Sequence, residues 1–371
     1  MRRTLRLFVL YGLAVILAAC SAQKAPQPQF YADTNPPLLS DWGVLGVAQG
    51  ELQLGQGVVP YSLATPLFTD YAHKLRTIWV PNGVATYQGT EALDFPVGTV
   101  ISKTFYYPQG TDGRVTKAPD LQPVNHKTGL SLAKNLLVET RLLVRREAGW
   151  EPLSYVWNAE ETEAKLTRIG AIMHMELEDG GETTPFAYAV PNINQCAGCH
   201  APNHTTKILQ PLGPKPQHLN TAYSYADGAL TSLAKLEEVG FLAPATPPLP
   251  TVKWDDDTQD LNTRARAYMD VNCAHCHNPV GPADTSGLHL NPENESRPHL
   301  GICKQPIAAG GGTGGLLHDI KPGDATQSIF VYRMQSRDPG EMMPALGRSL
   351  AHSEGVALIA DWINAMDAGC E

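Results

Sequence analysis

Cys196-Ala197-Gly198-Cys199-His200 and Cys273-Ala274-His275-Cys276-His277 are two copies of one pattern, C-x-x-C-H. That pattern is the attachment site of a c-type haem. Two thiols with two residues between them can both bond the vinyl edge of one porphyrin from a short helical turn. The His after the second Cys then lies beneath the iron. On this reading Cys196, Cys199, Cys273 and Cys276 carry two covalently bound haem c groups, and His200 and His277 are iron ligands. A pair of C-x-x-C units could instead build a four-thiolate zinc site, and a single unit could be a redox dithiol. Neither alternative calls for a His after the second Cys, yet both copies have one, with only 12 His in 371 residues.

The start of the chain bears on where such chemistry is carried out. Arg2, Arg3 and Arg6 precede an uncharged apolar run, Leu7 to Leu17. A membrane span needs about 20 apolar residues, so this run is the core of an export signal. It ends in Leu17-Ala18-Ala19-Cys20-Ser21, which looks like a bacterial lipobox with Cys20 as the acylated first residue of the mature chain. An ordinary secretory cleavage near Ala19 and a retained transmembrane anchor are the alternatives. Ser21 after Cys20 resembles lipoproteins sorted to the outer membrane of a Gram-negative bacterium. The expected location is therefore lipid-anchored and facing the periplasm, the side on which haem is attached to c-type cytochromes.

The seven Cys divide cleanly: Cys20 to lipid, four to haem, and Cys303 with Cys370 left as a pair. In an oxidising compartment that pair reads as a disulfide, with two unpaired buried thiols as the alternative. Apolar residues make up 43% of the chain, enough to bury real cores. The net charge of −9 argues against nucleic acid as a partner and permits docking of basic redox proteins.

Composition shifts divide the chain. Residues 1–19 form the signal peptide and 20–40 a polar, Pro-containing tether. Residues 41–242 carry strand-like runs such as Phe95 to Tyr107, Val138 to Arg146, Gly149 to Trp157 and Ile169 to Leu177, punctuated by Gly and Pro. Residues 243–252 are a Pro-rich linker, Ala243-Pro244-Ala245-Thr246-Pro247-Pro248-Leu249-Pro250-Thr251-Val252. Residues 253–371 show helical spacing: Asp255, Asp256 and Asp257 suit a helix start, Leu261, Ala265, Tyr268 and Met269 lead into Cys273, and Val356, Ile359, Trp362, Ile363 and Met366 share one face. The expected fold is α+β and multidomain: an antiparallel β-rich domain ending in a haem-binding helix, then an all-α cytochrome c domain, each with its own haem.

The order helix, C-x-x-C-H, Met342-Met343-Pro344, terminal helix resembles class I cytochrome c over about 115 residues. The resemblance implies that Met343 supplies a sulfur ligand opposite His277, with Met342 as its competitor and two core methionines as the plain alternative. The Pro96-Val97-Gly98-Thr99-Val100 strand, the Gly149-Trp150 strand and the C-x-x-C-H after them are similar to the cytochrome P460 and β-type cytochrome c′ group. That likeness implies a haem whose far face is often open. P460 members carry a Lys joined to the porphyrin; Lys103 lies in a strand of that style and reads as a solvated strand lysine. Along its whole length the chain looks like bacterial dihaem c-type cytochrome lipoproteins. The features shared are Glu139-Thr140-Arg141, Pro191-Asn192 and the C-terminal Met-Pro and Trp-Ile segments.

The second ligand of the first haem is not evident. His73, His126, Met173, His174, Met175, His204 and His218 are available, and an open face is the leading reading. Phosphate-loop, G-x-S-x-G and H-E-x-x-H patterns are absent. The Gly310 to Gly315 loop and the Glu160-Glu161 pair read as turn and solvated surface. The function expected is one-electron transfer with redox proteins of the periplasm or outer membrane, in preference to an enzyme. The alternative is a haem enzyme or a binder of a gas, peroxide or nitrogen oxide at haem one, with haem two as relay.

Overall fold

The computed structural model describes residues 25–118, 129–367 and 369–370. The signal segment, Cys20 and His126 lie outside the described residues. In chain order the elements are β1 (Leu45–Ala48), β2 (Glu51–Leu54), β3 (Val59–Tyr61), β4 (His73–Trp79), β5 (Val100–Pro108), β6 (Val115–Thr116), β7 (Leu130–Ser131), β8 (Asn135–Arg146), β9 (Gly149–Trp157), β10 (Ala164–Thr167), β11 (Ala171–Asp179) and β12 (Glu182–Val190). Then come α1 (Ile193–His200), α2 (Pro216–Leu219), β13 (Ala222–Tyr225), β14 (Gly228–Thr231), α3 (Ser232–Glu238), α4 (Leu261–Met269), α5 (Ile329–Gln335) and α6 (Ser353–Asn364).

A six-stranded antiparallel sheet, ordered β10-β9-β8-β5-β4-β3, is the frame of the N-terminal half. Side chains on a strand alternate between faces. One face sends Leu75, Val100, Leu142, Val144, Leu153 and Tyr155 into a core closed by Trp42 and the β1-β2-β7 sheet. Hydroxyls buried among them pair with one another: Thr77 with Ser102 at 2.5 Å and Thr104 with Thr140 at 2.8 Å. The opposite face is divided. Ile78 and Ile101 join one core, covered by α3 and the β13-β14 hairpin. Phe105 and Val138 join another, covered by the β12-β11-β6 sheet. Between these two cores the face carries charge.

The expectation of an all-α domain over 253–371 is wrong. The chain is strand-rich, 28% strand against 20% helix, and the C-terminal part has few helices. Among the described residues there, only α4, α5 and α6 are α-helical, at 9, 7 and 12 residues. The reason lies between α4 and α5. Pro279, Pro282, Pro292, Pro298, Pro306 and Pro322, with many Gly, remove amide donors and loosen the backbone, so helical spacing never runs far. α4, α5 and α6 still share a core through Ala265, Tyr268, Met269, Val331, Ile359, Trp362 and Ile363, with turns wrapped around it. The cap of α4 is Asp260, which accepts from Thr263 N–H at 3.0 Å, not the Asp255 to Asp257 run. Among the described residues no helix is long and apolar enough to cross a membrane.

The halves are joined by buried polar contacts. The Asp70 carboxylate accepts from the Ser349 and Leu350 amides, both at 2.7 Å. The Phe68 amide donates to Asn272 Oδ1 at 2.9 Å, and the Phe68 ring stacks on His352 at 4.3 Å. Asp270 accepts from Lys215 at 2.9 Å and pairs with His218 at 2.8 Å. The Pro-rich segment lies along the N-terminal half, with the Ala243 amide on Ala85 O and the Thr251 amide on Gln217 O, both at 3.0 Å.

Candidate haem-binding site

The first motif rides on α1, which starts three residues after β12 ends. Asn192 caps it by accepting from the Asn194 and Gln195 amides, and the Gln195 side chain accepts back from the Asn192 amide. This reciprocal cap is worth about 1 kcal/mol and lets a helix of 8 residues stand without burying any residue fully. Cys196, Cys199 and His200 are half-buried. The second motif follows α4, which passes at Asp270 into a π-helical turn through Ala274. The Cys276 and His277 amides both donate back to Cys273 O, at 3.1 and 2.9 Å, so both thiols and the imidazole come from one tight turn.

The donor set suits iron in a porphyrin. His200 Nδ1 lies 2.9 Å from the carbonyl of Gln210, which can only accept. His277 Nδ1 lies 3.1 Å from Ser286 Oγ, whose own proton goes to Ala283 O at 2.6 Å. Both rings are therefore held as the Nδ1–H tautomer, which presents the Nε2 lone pair for coordination. Burial, with Lys103 near His200 and His275 near His277, lowers both imidazoles to a pKa of about 4, so both are neutral at neutral pH. Burial raises all four thiols, Cys273 and Cys276 to about 12. None of the four is in a disulfide. Thiols held protonated are poor nucleophiles, which counts against a redox dithiol. Among the described residues no three His, Cys, Asp or Glu side chains are placed to hold a bare metal ion, which counts against a four-thiolate zinc site.

The two motifs meet. Cys276 Sγ is 3.5 Å from Gly198 O, Asn278 Nδ2 reaches Pro202 O at 3.4 Å, and the His204 amide donates to Val280 O at 2.8 Å. Gly198 faces the exposed side chain of Leu346: a Cβ on it would lie 2.9 Å from Leu346 Cδ1. Leu346 belongs to the turn after Met342-Met343-Pro344. That turn is tied to α5 by the Met343 amide on Arg333 O at 2.9 Å, and to Arg348, which donates to Met343 O at 2.9 Å. Met342 is buried and Met343 half-buried. Cys303 and Cys370 are joined, Cα to Cα 5.2 Å.

The other candidate ligands lie in different surroundings. His204 Nδ1 is taken up by the carbonyls of Val280 and Gly281. His218 is buried on Asp270. His73 stacks on Tyr106, 5.5 Å between ring centroids. His174 is exposed on β11, and Met173 and Met175 pack against the Phe105 and Tyr107 core.

Sequence reasoning missed the charged strip of the central sheet. In register, Arg76 on β4 stands opposite Lys103 on β5, and Lys103 opposite Arg141 on β8. Lys74 is two residues along on the same face. Lys103 is half-buried, not the solvated strand lysine expected. Burial and the neighbouring Arg141 and Arg76 push its pKa down to about 7. Buried Glu139 accepts from Arg141 at 2.9 and 2.5 Å and from the Tyr188 hydroxyl at 2.8 Å. The charge of Lys103 reaches Cys199 and His200, and that of Arg141 reaches Cys196. The available signal was cations alternating with apolar residues in strands otherwise fit for burial, but only register shows that they converge. No family model, curated protein or solved structure matches this chain.

Proposed function

We propose that this protein is a dihaem c-type electron carrier, exported and held by lipid on Cys20 at the periplasmic face of the outer membrane. The observation that carries the reading is the contact between the two C-x-x-C-H segments, Cys276 Sγ to Gly198 O at 3.5 Å. Haem bound at each supplies one-electron ferric/ferrous chemistry. The chain then provides attachment through Cys196 and Cys199, and through Cys273 and Cys276. It provides iron ligation through Nε2 of His200 and His277, and orientation of those rings through Gln210 O and Ser286 Oγ. Touching attachment segments give an electron a short covalent and hydrogen-bonded route from one centre to the other. Met343, or Met342 beside it, is the proposed second ligand at the second centre, where a thioether favours ferrous iron and a high potential. The partners proposed are soluble or membrane-bound redox proteins of the periplasm.

The test is covalent haem content of the mature protein produced with haem-attachment machinery. Two haems per chain are expected, one after Cys196→Ala with Cys199→Ala, and one after Cys273→Ala with Cys276→Ala. A wild-type chain with no covalent haem, folded and exported, overturns the reading. A second reading, a small-ligand binder at the first centre, is favoured by one observation: of the candidate second ligands for His200, His218 is buried on Asp270, His174 is exposed, and Met173 and Met175 pack against a core.

A further inference from the structure

The turn that carries Met342-Met343-Pro344 lies between α5 and α6, in residues 336–352, which form neither helix nor strand. Its carbonyls therefore lack the partners that a regular element supplies. Arg348 supplies them instead. It is 7% exposed and donates through Nη2 to Arg333 O at 3.2 Å, Ser336 O at 3.0 Å and Met343 O at 2.9 Å. Through Nη1 it donates to Leu350 O at 3.0 Å. A guanidinium suits this task, because its five donors are fixed in one plane. Burying a cation on carbonyls is costly unless those bonds are well made. Met343 is the residue they hold at both ends. Its amide donates to Arg333 O at 2.9 Å, the same carbonyl that Arg348 reaches, and its own carbonyl takes Arg348 directly. The Met342 amide goes instead to Asp338 O at 2.8 Å.

Behind Arg348 stands the N-terminal half. Asp70 Oδ1 accepts from the Ser349 and Leu350 amides, both at 2.7 Å, and Oδ2 lies 3.1 Å from Ser349 Oγ. Asp70 is buried, and its own carbonyl takes the Tyr107 hydroxyl of β5 at 2.7 Å. Hydrogen bonds thus run from β5 to Asp70, from Asp70 to residues 349 and 350, and from the adjacent Arg348 to Met343. A thioether is a neutral, weak ligand, so its bond to iron depends on the chain that holds the sulfur in place. We propose that Arg348 is the positioning residue for the sulfur ligand of the second haem centre, fixing the Met343 backbone, and that Asp70 anchors it from the N-terminal half. This rests on haem attachment at the second motif with Met343 as its ligand, and adds what holds that ligand. The potential of the second centre then depends on residues of both halves.

The experiment records the far-red absorbance band that a thioether gives on ferric haem, in the haem-loaded mature protein, beside a redox titration of the second centre. Arg348→Lys keeps the charge and loses the planar set of donors. Asp70→Ala removes the hold on Ser349 and Leu350. Arg337→Gln is the control: Arg337 donates to Ser349 O at 3.1 Å and Pro185 O at 3.3 Å, so it joins the same segment to the N-terminal half without touching Met343. In Arg348→Lys the band is expected to fall by roughly half or more with two haems retained, and the potential of the second centre to fall with it. Asp70→Ala should show a smaller loss in the same direction, and Arg337→Gln none. An unchanged band in Arg348→Lys overturns the proposal, and an equal loss in Arg337→Gln does so too, by assigning the effect to general loosening. Where Arg348→Lys does not fold with two haems, Asp70→Ala decides in the same way. A wild-type protein with two haems and no thioether band also overturns it, while absence of covalent haem is failure of the haem reading itself.

Discussion

The same five-residue pattern is set in two unlike places. The first copy stands on a short, self-capped helix with no fully buried residue, within reach of the charges of Lys103 and Arg141. The second is wound into the turn that ends α4, with Ala274 and Cys273 packed into the C-terminal core. His200 gives its Nδ1 proton to a backbone carbonyl, while His277 gives it to a hydroxyl that is itself a donor elsewhere. A carbonyl is the stronger acceptor, so the His200 ring is the more electron-rich ligand. The comparison teaches that one pentapeptide is met by two different surroundings, which on the proposed haem reading would decide what each centre is for.

Removing thiols is the harshest way to probe that contrast. Cys196→Ser with Cys199→Ser, and Cys273→Ser with Cys276→Ser, should each halve covalent haem, read by haemochrome absorbance. The second pair should also lower thermal stability more than the first, because Cys273 packs against the C-terminal core. Equal losses of stability would erase the distinction. Next in size is the staple of the C-terminal region. Cys303→Ala with Cys370→Ala opens a loop of sequence separation 67 and should cost about 2–4 kcal/mol in denaturant unfolding. Haem content at the first centre should be unaffected.

Asp270, at the start of the second motif's turn, gives a pH signature. Burial alone would raise its carboxyl, but His218 and Lys215 outweigh that and hold it at about 2, against an ordinary 3.8. A depressed carboxylate stabilises the fold above its unfolded value and loses that contribution as the pH falls through about 2. Asp270→Asn should therefore cost about 2 kcal/mol at pH 6 and progressively less in acid, measured by unfolding at several pH values. A pH-independent loss would show that Asp270 acts by shape alone. The finest test is Ser286→Ala. It removes the acceptor from His277 Nδ1 and should raise the potential of the second centre slightly, leaving the first unchanged in a redox titration.

Much of the site was legible in the chain because its signals are local. Attachment needs two Cys and a His within one turn, and five consecutive residues state that completely. The α6 helix was legible for the same reason, since Val356, Ile359, Trp362 and Ile363 recur on one face within a few turns. The expectation of an all-α C-terminal domain fails because the long Pro- and Gly-rich stretch between α4 and α5 cannot hold a helix, so three short helices are all that form. The charged strip was illegible for the opposite reason. Arg76, Lys103 and Arg141 are each unremarkable in their own strand and become one feature only through the β4-β5-β8 register.

What the sequence by itself determined is the chemistry that short range can encode: paired thiols, the imidazole beside each pair, and the caps and turns that present them. Only the tertiary structure decided that the two motifs touch, that Gln210 O and Ser286 Oγ set the ring tautomers, and that Arg76, Lys103 and Arg141 gather in one register. Those facts join residues far apart in the chain. They arise from strand register, from burial, and from the polar seam of Asp70, Asn272 and Asp270 that locks the two halves together.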